Sequence, residues 1–203
     1  MDKEILGAIS VAAGLIGSFW YWRSIHAGQS RPHLFSFLVW SILAAIAAVA
    51  QISSGAGPGA WISICTAIIG IITTIWACSA GEKNITRGDW ISLTFALSAI
   101  PLWMATKNPL WAIAIVSLID CAGFYPTMRK SWDRPDQENM AAWSLNVVKL
   151  GIALPAMNEL TLVTALYPAS FLVLNALFVC MCLLRRSAIA NQAMIEMESV
   201  QGV

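Results

Sequence analysis

Apolar residues fill seven long stretches of this chain, separated by short polar segments and without the strict alternation of a half-buried strand. The stretches are 5–22, 34–52, 58–79, 89–106, 109–125, 140–157 and 160–184. Each comes close to or falls within the roughly 17–25 residues an α-helix needs to cross bilayer hydrocarbon. The separators carry breakers or charge: Gly28 to Pro32, Ser53 to Gly57, Gly81 to Gly88, Lys107-Asn108, Arg129 to Glu138, and Asn158-Glu159. A transmembrane barrel would need alternating stretches of about ten residues. The pattern therefore predicts an all-α integral membrane protein with seven transmembrane helices.

Two charges interrupt the apolar runs. Asp120 lies within 109–125 and Lys149 within 140–157. Asp120 precedes Tyr125 by about 8 Å along a helix, and Lys149 follows Trp143 by about 9 Å, at a rise of about 1.5 Å per residue. Both are thus expected at similar depth on consecutive helices. A bare charge at such a depth costs about 2.5–3.5 kcal/mol on insertion scales, so each needs a partner, a wet cavity or a proton. One expectation is an ion pair pinning the fifth span to the sixth. The other is a pair lining a cavity and contacting solute or exchanging protons.

Composition narrows the class. Hydrophobic residues make up 58% of the chain and charged residues 11%, and mean hydropathy is +0.70. Soluble domains carry about 25% charged residues, and a small globule still has to solvate most of its surface. The lipid bilayer is therefore the expected surroundings. A net charge of +1 without a dense basic patch excludes nucleic acid as a partner. The cysteines Cys65, Cys78, Cys121, Cys180 and Cys182 all fall in apolar stretches, which predicts buried packing thiols rather than a disulfide framework. The first stretch follows Asp2-Lys3-Glu4 and has no cleavage site, so it is expected to be a retained helix. No phosphate-binding glycine loop, zinc-helix motif or catalytic triad is present, and neither an enzyme nor a cofactor is expected.

Charge sets a direction. Arg23, Arg31, Lys83, Arg87, Arg129, Lys130, Arg134, Arg185 and Arg186 follow odd-numbered stretches, whereas only Lys3 and Lys107 lie on the other side. The positive-inside rule then places the N-terminus outside and the C-terminus in the cytoplasm, in a membrane of bacterial inner (plasma) type. Trp20, Trp22, Trp76, Trp132 and Trp143, with Trp61 and Trp111 at the opposite ends, suit interfacial belts. Trp40 and Trp103 fall deeper. The mixed-charge segment from Arg129 to Glu138 is expected to be a wetted, self-neutralised turn, with a latch as the alternative. His26 and His33 are expected to be solvated loop residues.

An internal repeat accompanies this pattern. Tyr21, Arg31-Pro32 and Trp40-Ser41 recur as Tyr125, Arg134-Pro135 and Trp143-Ser144, at an offset of 104 that falls to 103 across the loop. Residues 1–80 and 109–184 then form two three-helix repeats of like orientation, 81–108 is the linker helix that inverts the chain between them, and 185–203 is a cytoplasmic tail. Internal symmetry of this kind places substrate sites near the midplane between repeats. In this arrangement, and in Tyr125-Pro126-Thr127 followed by Arg129-Lys130-Ser131, the chain resembles the PQ-loop and SWEET-like (MtN3) transporter superfamily. The corresponding stretch of the first half, Tyr21-Trp22-Arg23, has neither Pro nor Gln. The resemblance implies a 3+1+3 fold, a pocket between the repeats, and Trp and Asn side chains lining it.

Trp143, Asn146 and Lys149 recur at three-residue steps and share one sector of a helix. An aromatic face, an amide and an ammonium together suit a small polar organic solute with a ring or an anionic group, and the resemblance implies a sugar, a vitamin or a similar molecule. Trp40, Asp120 and Asn175 complete the expected substrate-binding set, with Gln51 as a lesser candidate. Ala13 with Gly17 is a small-xxx-small step that predicts close helix packing. Pro101, Pro155 and Pro168 are expected to kink their helices. The functional expectation is a transporter, facilitative or proton-linked. Its rival is a non-transporting receptor or assembly subunit, docked through Ile189, Met194, Ile195, Met197 and Val200. Homo-oligomerisation is left open.

Overall fold

The computed structural model describes residues 2–82, 85–106 and 108–201, leaving out some side chains in 89–103, at 126 and beyond 192. Trp103, Pro126 and Val200, singled out above, have side chains outside that set. The helices are α1 (Lys3–His26), α2 (Leu34–Ser53), α3 (Trp61–Ala80), α4 (Arg87–Thr106), α5 (Pro109–Asp133), α6 (Met140–Ala153) and α7 (Leu162–Gln201). Short 3-10 turns cover Gly57–Ala60 and Pro135–Gln137, and the described residues contain no strand. Local chemistry sets several starts. Asp2, Asn108 and Asn139 accept hydrogen bonds from backbone N–H groups of the first turns of α1, α5 and α6, as capping residues do. Gly28, with φ of 69°, takes the chain out of α1 in a left-handed conformation.

Among the described residues, five segments are long and apolar enough to cross a membrane: Lys3–His26, Leu34–Ser53, Gly57–Ala80, Pro109–Asp133 and Leu162–Gln192. α6 is also apolar but shorter. It ends at Ala153 because Pro155 follows, and Ala156 and Met157 close tight turns onto Ala153 and Leu154 instead of extending the helix. α7 continues past 184 to Gln201, since no Gly or Pro interrupts 169–201.

Large and small side chains are sorted in the reverse of the order usual in water. On α1 the exposed face carries Ile5, Ile9, Leu15, Ile16, Phe19 and Trp20, while Gly7, Ser10, Gly14, Gly17, Ser18 and Tyr21 are buried. On α3 the exposed face carries Ile64, Ile68, Ile71, Ile72 and Ile75, against buried Ser63, Ala67, Gly70 and Thr73. Small residues inside let backbones approach and hydroxyls bridge helices, the packing logic of helices in lipid. At Gly70 an added Cβ would lie 2.4 Å from Ser41 Oγ, so the α2–α3 contact needs the glycine.

α3 lies against both α1 and α2, and α7 lies against both α5 and α6. Between these groups α1 packs on α6 and α2 on α5, while α4 packs on α5 and α2. Exchanging the labels α1, α2, α3 with α5, α6, α7 leaves the set of principal pairings unchanged, apart from those of α4. Polar ties reinforce it: Ser10 Oγ donates to the Lys149 carbonyl at 2.6 Å, and Trp22 Nε1 donates to Thr73 Oγ1 at 2.8 Å. Gln51, fully buried, accepts from Ser63 Oγ at 2.7 Å and donates to the Thr164 carbonyl at 3.2 Å. It is an amide joining α2, α3 and α7.

Candidate functional site

A cavity of about 60 Å³ lies where α1, α2 and α3 meet α6 and α7. That is room for a few water molecules and well below the roughly 300–1,000 Å³ of a typical ligand pocket. α6 presents Trp143, Asn146 and Lys149 to it, the face expected from their three-residue spacing. α2 adds Phe37 and Trp40, α1 adds Gly17, Ser18 and Tyr21, and α3 adds Thr66, Gly70 and Thr73. Trp40 and Trp143, equivalent in the sequence repeat, meet edge to face with centroids 5.9 Å apart. Phe124 and Phe171 pack against Trp40, and Phe178 against Trp143 at 4.5 Å. The tryptophans are thus fixed by a buried aromatic cluster. Trp143 is 3% exposed, so it belongs to this interior and not to an interfacial belt.

Lys149 is buried, and its Nζ contacts Thr66 Oγ1 at 3.4 Å. Its stem fits the notch left by Gly14, where a Cβ would stand 3.2 Å from Lys149 Cδ. The ion pair with Asp120 does not form. α5 and α6, consecutive in sequence, do not pack on one another: α6 sits against α1 and α7, and α7 lies against α5. Asp120 is 0% exposed and lies outside the cavity lining. Both of its carboxylate oxygens lack a hydrogen-bond partner, as do the hydroxyls of Ser117, one turn earlier, and Tyr167 on α7. Asn175 also lies outside the lining; its Nδ2 donates to the Phe171 carbonyl of its own helix at 2.7 Å.

Glu138 was missed as a site residue. The segment from Arg129 to Glu138 is not a wetted turn throughout, because Ser131, Pro135 and Glu138 are buried. Glu138 pairs with Lys130, and its second oxygen accepts from Trp143 Nε1 at 2.9 Å. Arg186 of α7 donates to the Glu138 and Pro135 carbonyls at 2.7 Å, and Lys130 also donates to the Arg31 carbonyl between α1 and α2. A clamp at one end of the cavity therefore joins both helix groups and fixes a lining indole. The latch alternative describes this better than the solvated turn.

Other expectations need correction. His33 is 2% exposed, with its ring against Phe35 and its Nδ1 near Ser36 Oγ, because it caps α2 beneath the turn; His26 is exposed. Of the cysteines only Cys182 is buried, Cys65 is half-buried, and Cys78, Cys121 and Cys180 are exposed on outward helix faces. The cavity's α1 and α3 wall was also missed. Its signal was present as small and hydroxyl residues at helical spacing, Gly17 and Tyr21 on one helix and Thr66, Gly70 and Thr73 on the other. Gly17 does mark close packing, as its step predicts: a Cβ there would meet Leu145 Cβ at 3.1 Å.

Comparison with protein-family models, with curated proteins and with solved structures gives no match.

Proposed function

We propose that this chain is an integral membrane transporter that moves a small polar solute through the cavity between two helix triplets. In this reading α1–α3 and α5–α7 are the repeats of a seven-span 3+1+3 fold of PQ-loop and SWEET-like type, with α4 as linker. The N-terminus is outside, the clamp end and C-terminus face the cytoplasm, and the membrane is of bacterial inner type. One observation carries the proposal: the repeat-related Trp40 and Trp143 converge on a cavity that also receives Lys149, a buried ammonium whose hydrogen-bond contact among the described residues is a hydroxyl at 3.4 Å. Intramembrane ionisable groups facing a cavity mark solute or proton routes. At about 60 Å³ the cavity is too small for a sugar-sized solute, and the triplets must part for one to enter.

Uptake of a panel of sugars, vitamins, amino acids and organic acids into proteoliposomes tests the proposal. The wild-type chain is expected to carry at least one of them, and Lys149→Ala to lose or uncouple that flux. A second reading, a receptor or assembly subunit, is favoured by α7, which continues as a helix with Ile189, Met194, Ile195 and Met197 exposed. Absence of flux across the whole panel, with a stoichiometric protein co-purifying, would replace the transporter by that reading.

A further inference from the structure

The wall of the cavity has an imbalance of charge and of hydrogen-bonding groups. Among the described residues, none that lines it is Asp or Glu, and none places a carboxylate within 4.0 Å of Lys149 Nζ. Thr66 Oγ1 is the ammonium's hydrogen-bond contact, at a distance near the limit for such a bond. The Tyr21 hydroxyl, on the same wall and buried, has no partner. Asn146 adds an amide one helical turn from Lys149. Unmatched donors surround a space that contains no anion of the protein's own. A buried cation without a counter-charge is costly, and the cost is removed when a ligand brings the counter-charge.

The rest of the wall restricts that ligand. One ammonium neutralises one negative charge, and a dianion would leave a net charge among Trp40, Trp143, Phe37 and Phe171, where none is tolerated cheaply. The faces of these rings suit an apolar or planar body. Asp120 and Glu138, buried carboxylates elsewhere in the fold, both lie outside the lining and do not compensate Lys149.

Building on the proposed solute cavity, we infer that its ligand is a small monocarboxylate, whose carboxylate pairs with Lys149 Nζ and whose apolar body lies against the Trp40–Trp143 pair. The carboxylate accepts from the ammonium and from the Asn146 amide, and the Tyr21 hydroxyl supplies a further donor toward the clamp end. Lys149 sets specificity for charge, and the indoles set specificity for shape.

The test is a binding measurement on the purified full chain in detergent, so it does not depend on transport. Thermal unfolding is followed with acetate, benzoate, their neutral isosteres acetamide and benzamide, and chloride. Acetate or benzoate is expected to raise the midpoint and to bind at least about tenfold more tightly than its amide, a difference of about 1.4 kcal/mol. Lys149→Met is expected to abolish the distinction between acid and amide, and Lys149→Arg to keep it. Equal protection by the amide, or by chloride, overturns the inference, as does a Lys149→Met protein that still prefers the acid. If Lys149→Met does not fold, the acid-to-amide ratio on the wild-type chain and on Tyr21→Phe decides alone, with Tyr21→Phe expected to weaken the acid more than the amide. Carboxylate binding without flux would remove the transporter and leave this inference standing. Flux of a neutral solute without carboxylate binding would do the reverse.

Discussion

Replacing Glu138 should loosen the cavity from one end. Its side chain is 1% exposed and that of Lys130 is 6% exposed, so the pair is desolvated. Removing one member of a buried pair leaves the other uncompensated, which costs about 3–5 kcal/mol. Glu138→Ala also strips the acceptor from Trp143 Nε1, now 2.9 Å from Oε2, and an orphaned buried donor adds about 1–3 kcal/mol. Lys130 keeps its bond to the Arg31 carbonyl, so the two costs do not sum in full, and about 3–5 kcal/mol is the expected loss for Glu138→Ala. Glu138→Gln keeps a neutral acceptor and should lose about half as much. Equilibrium unfolding in detergent micelles, followed by far-UV circular dichroism, measures both. A cycle with Lys130→Met isolates the pair, and a coupling of about 1.5–3 kcal/mol is expected for two members of one network. Emission from Trp143 should shift to the red in Glu138→Ala as the ring loses its tether. A coupling below about 0.5 kcal/mol, the level of independent sites, would refute the idea that this pair holds the clamp.

Two further substitutions probe the packing. Gly70→Ala places a Cβ 2.4 Å from Ser41 Oγ and 3.3 Å from Ser41 Cα; a loss of about 1–3 kcal/mol is expected from overpacking. Adding Ser41→Ala should recover at least half of it in the same unfolding assay, and an unrelieved loss would show that the backbone contact alone decides. Asp120→Leu removes two oxygens that have no partner and should raise the unfolding free energy by about 1–3 kcal/mol. A fall of that size would mean that the carboxylate is satisfied.

The helices were legible because long apolar runs and their breakers are local signals. Their ends were less so. α6 stops at Ala153, four residues before the apolar run does, because one proline outweighs the apolar side chains around it. α5 passes Tyr125 to Asp133 because polar residues beyond an apolar run do not themselves end a helix. Trp40, Trp143, Asn146 and Lys149, singled out in the sequence, line the cavity, because polar groups and deep tryptophans stand out in apolar runs and spacing fixes a helix face. The Asp120–Lys149 pair failed because depth along a helix follows from sequence, whereas the neighbour of that helix does not. Glu138 was hidden for the same reason. Its burial depends on Arg186 and on the Arg31 carbonyl, which are far away along the chain.

The Trp40–Trp143 contact has a mechanical consequence. Edge-to-face rings share no hydrogen bond with each other, so in the proposed transporter their contact would serve as the point about which the triplets tilt, with one indole still tethered to Glu138. Helix ends ten residues from such a fulcrum stand about 15 Å away, and a tilt of about 15° would swing them by about 4 Å. The clamp at Glu138 sits on one arm of that lever. In the proposed transporter, opening that end would require release of the Lys130–Glu138 pair together with the bonds from Arg186 and Lys130 to the Pro135, Glu138 and Arg31 carbonyls.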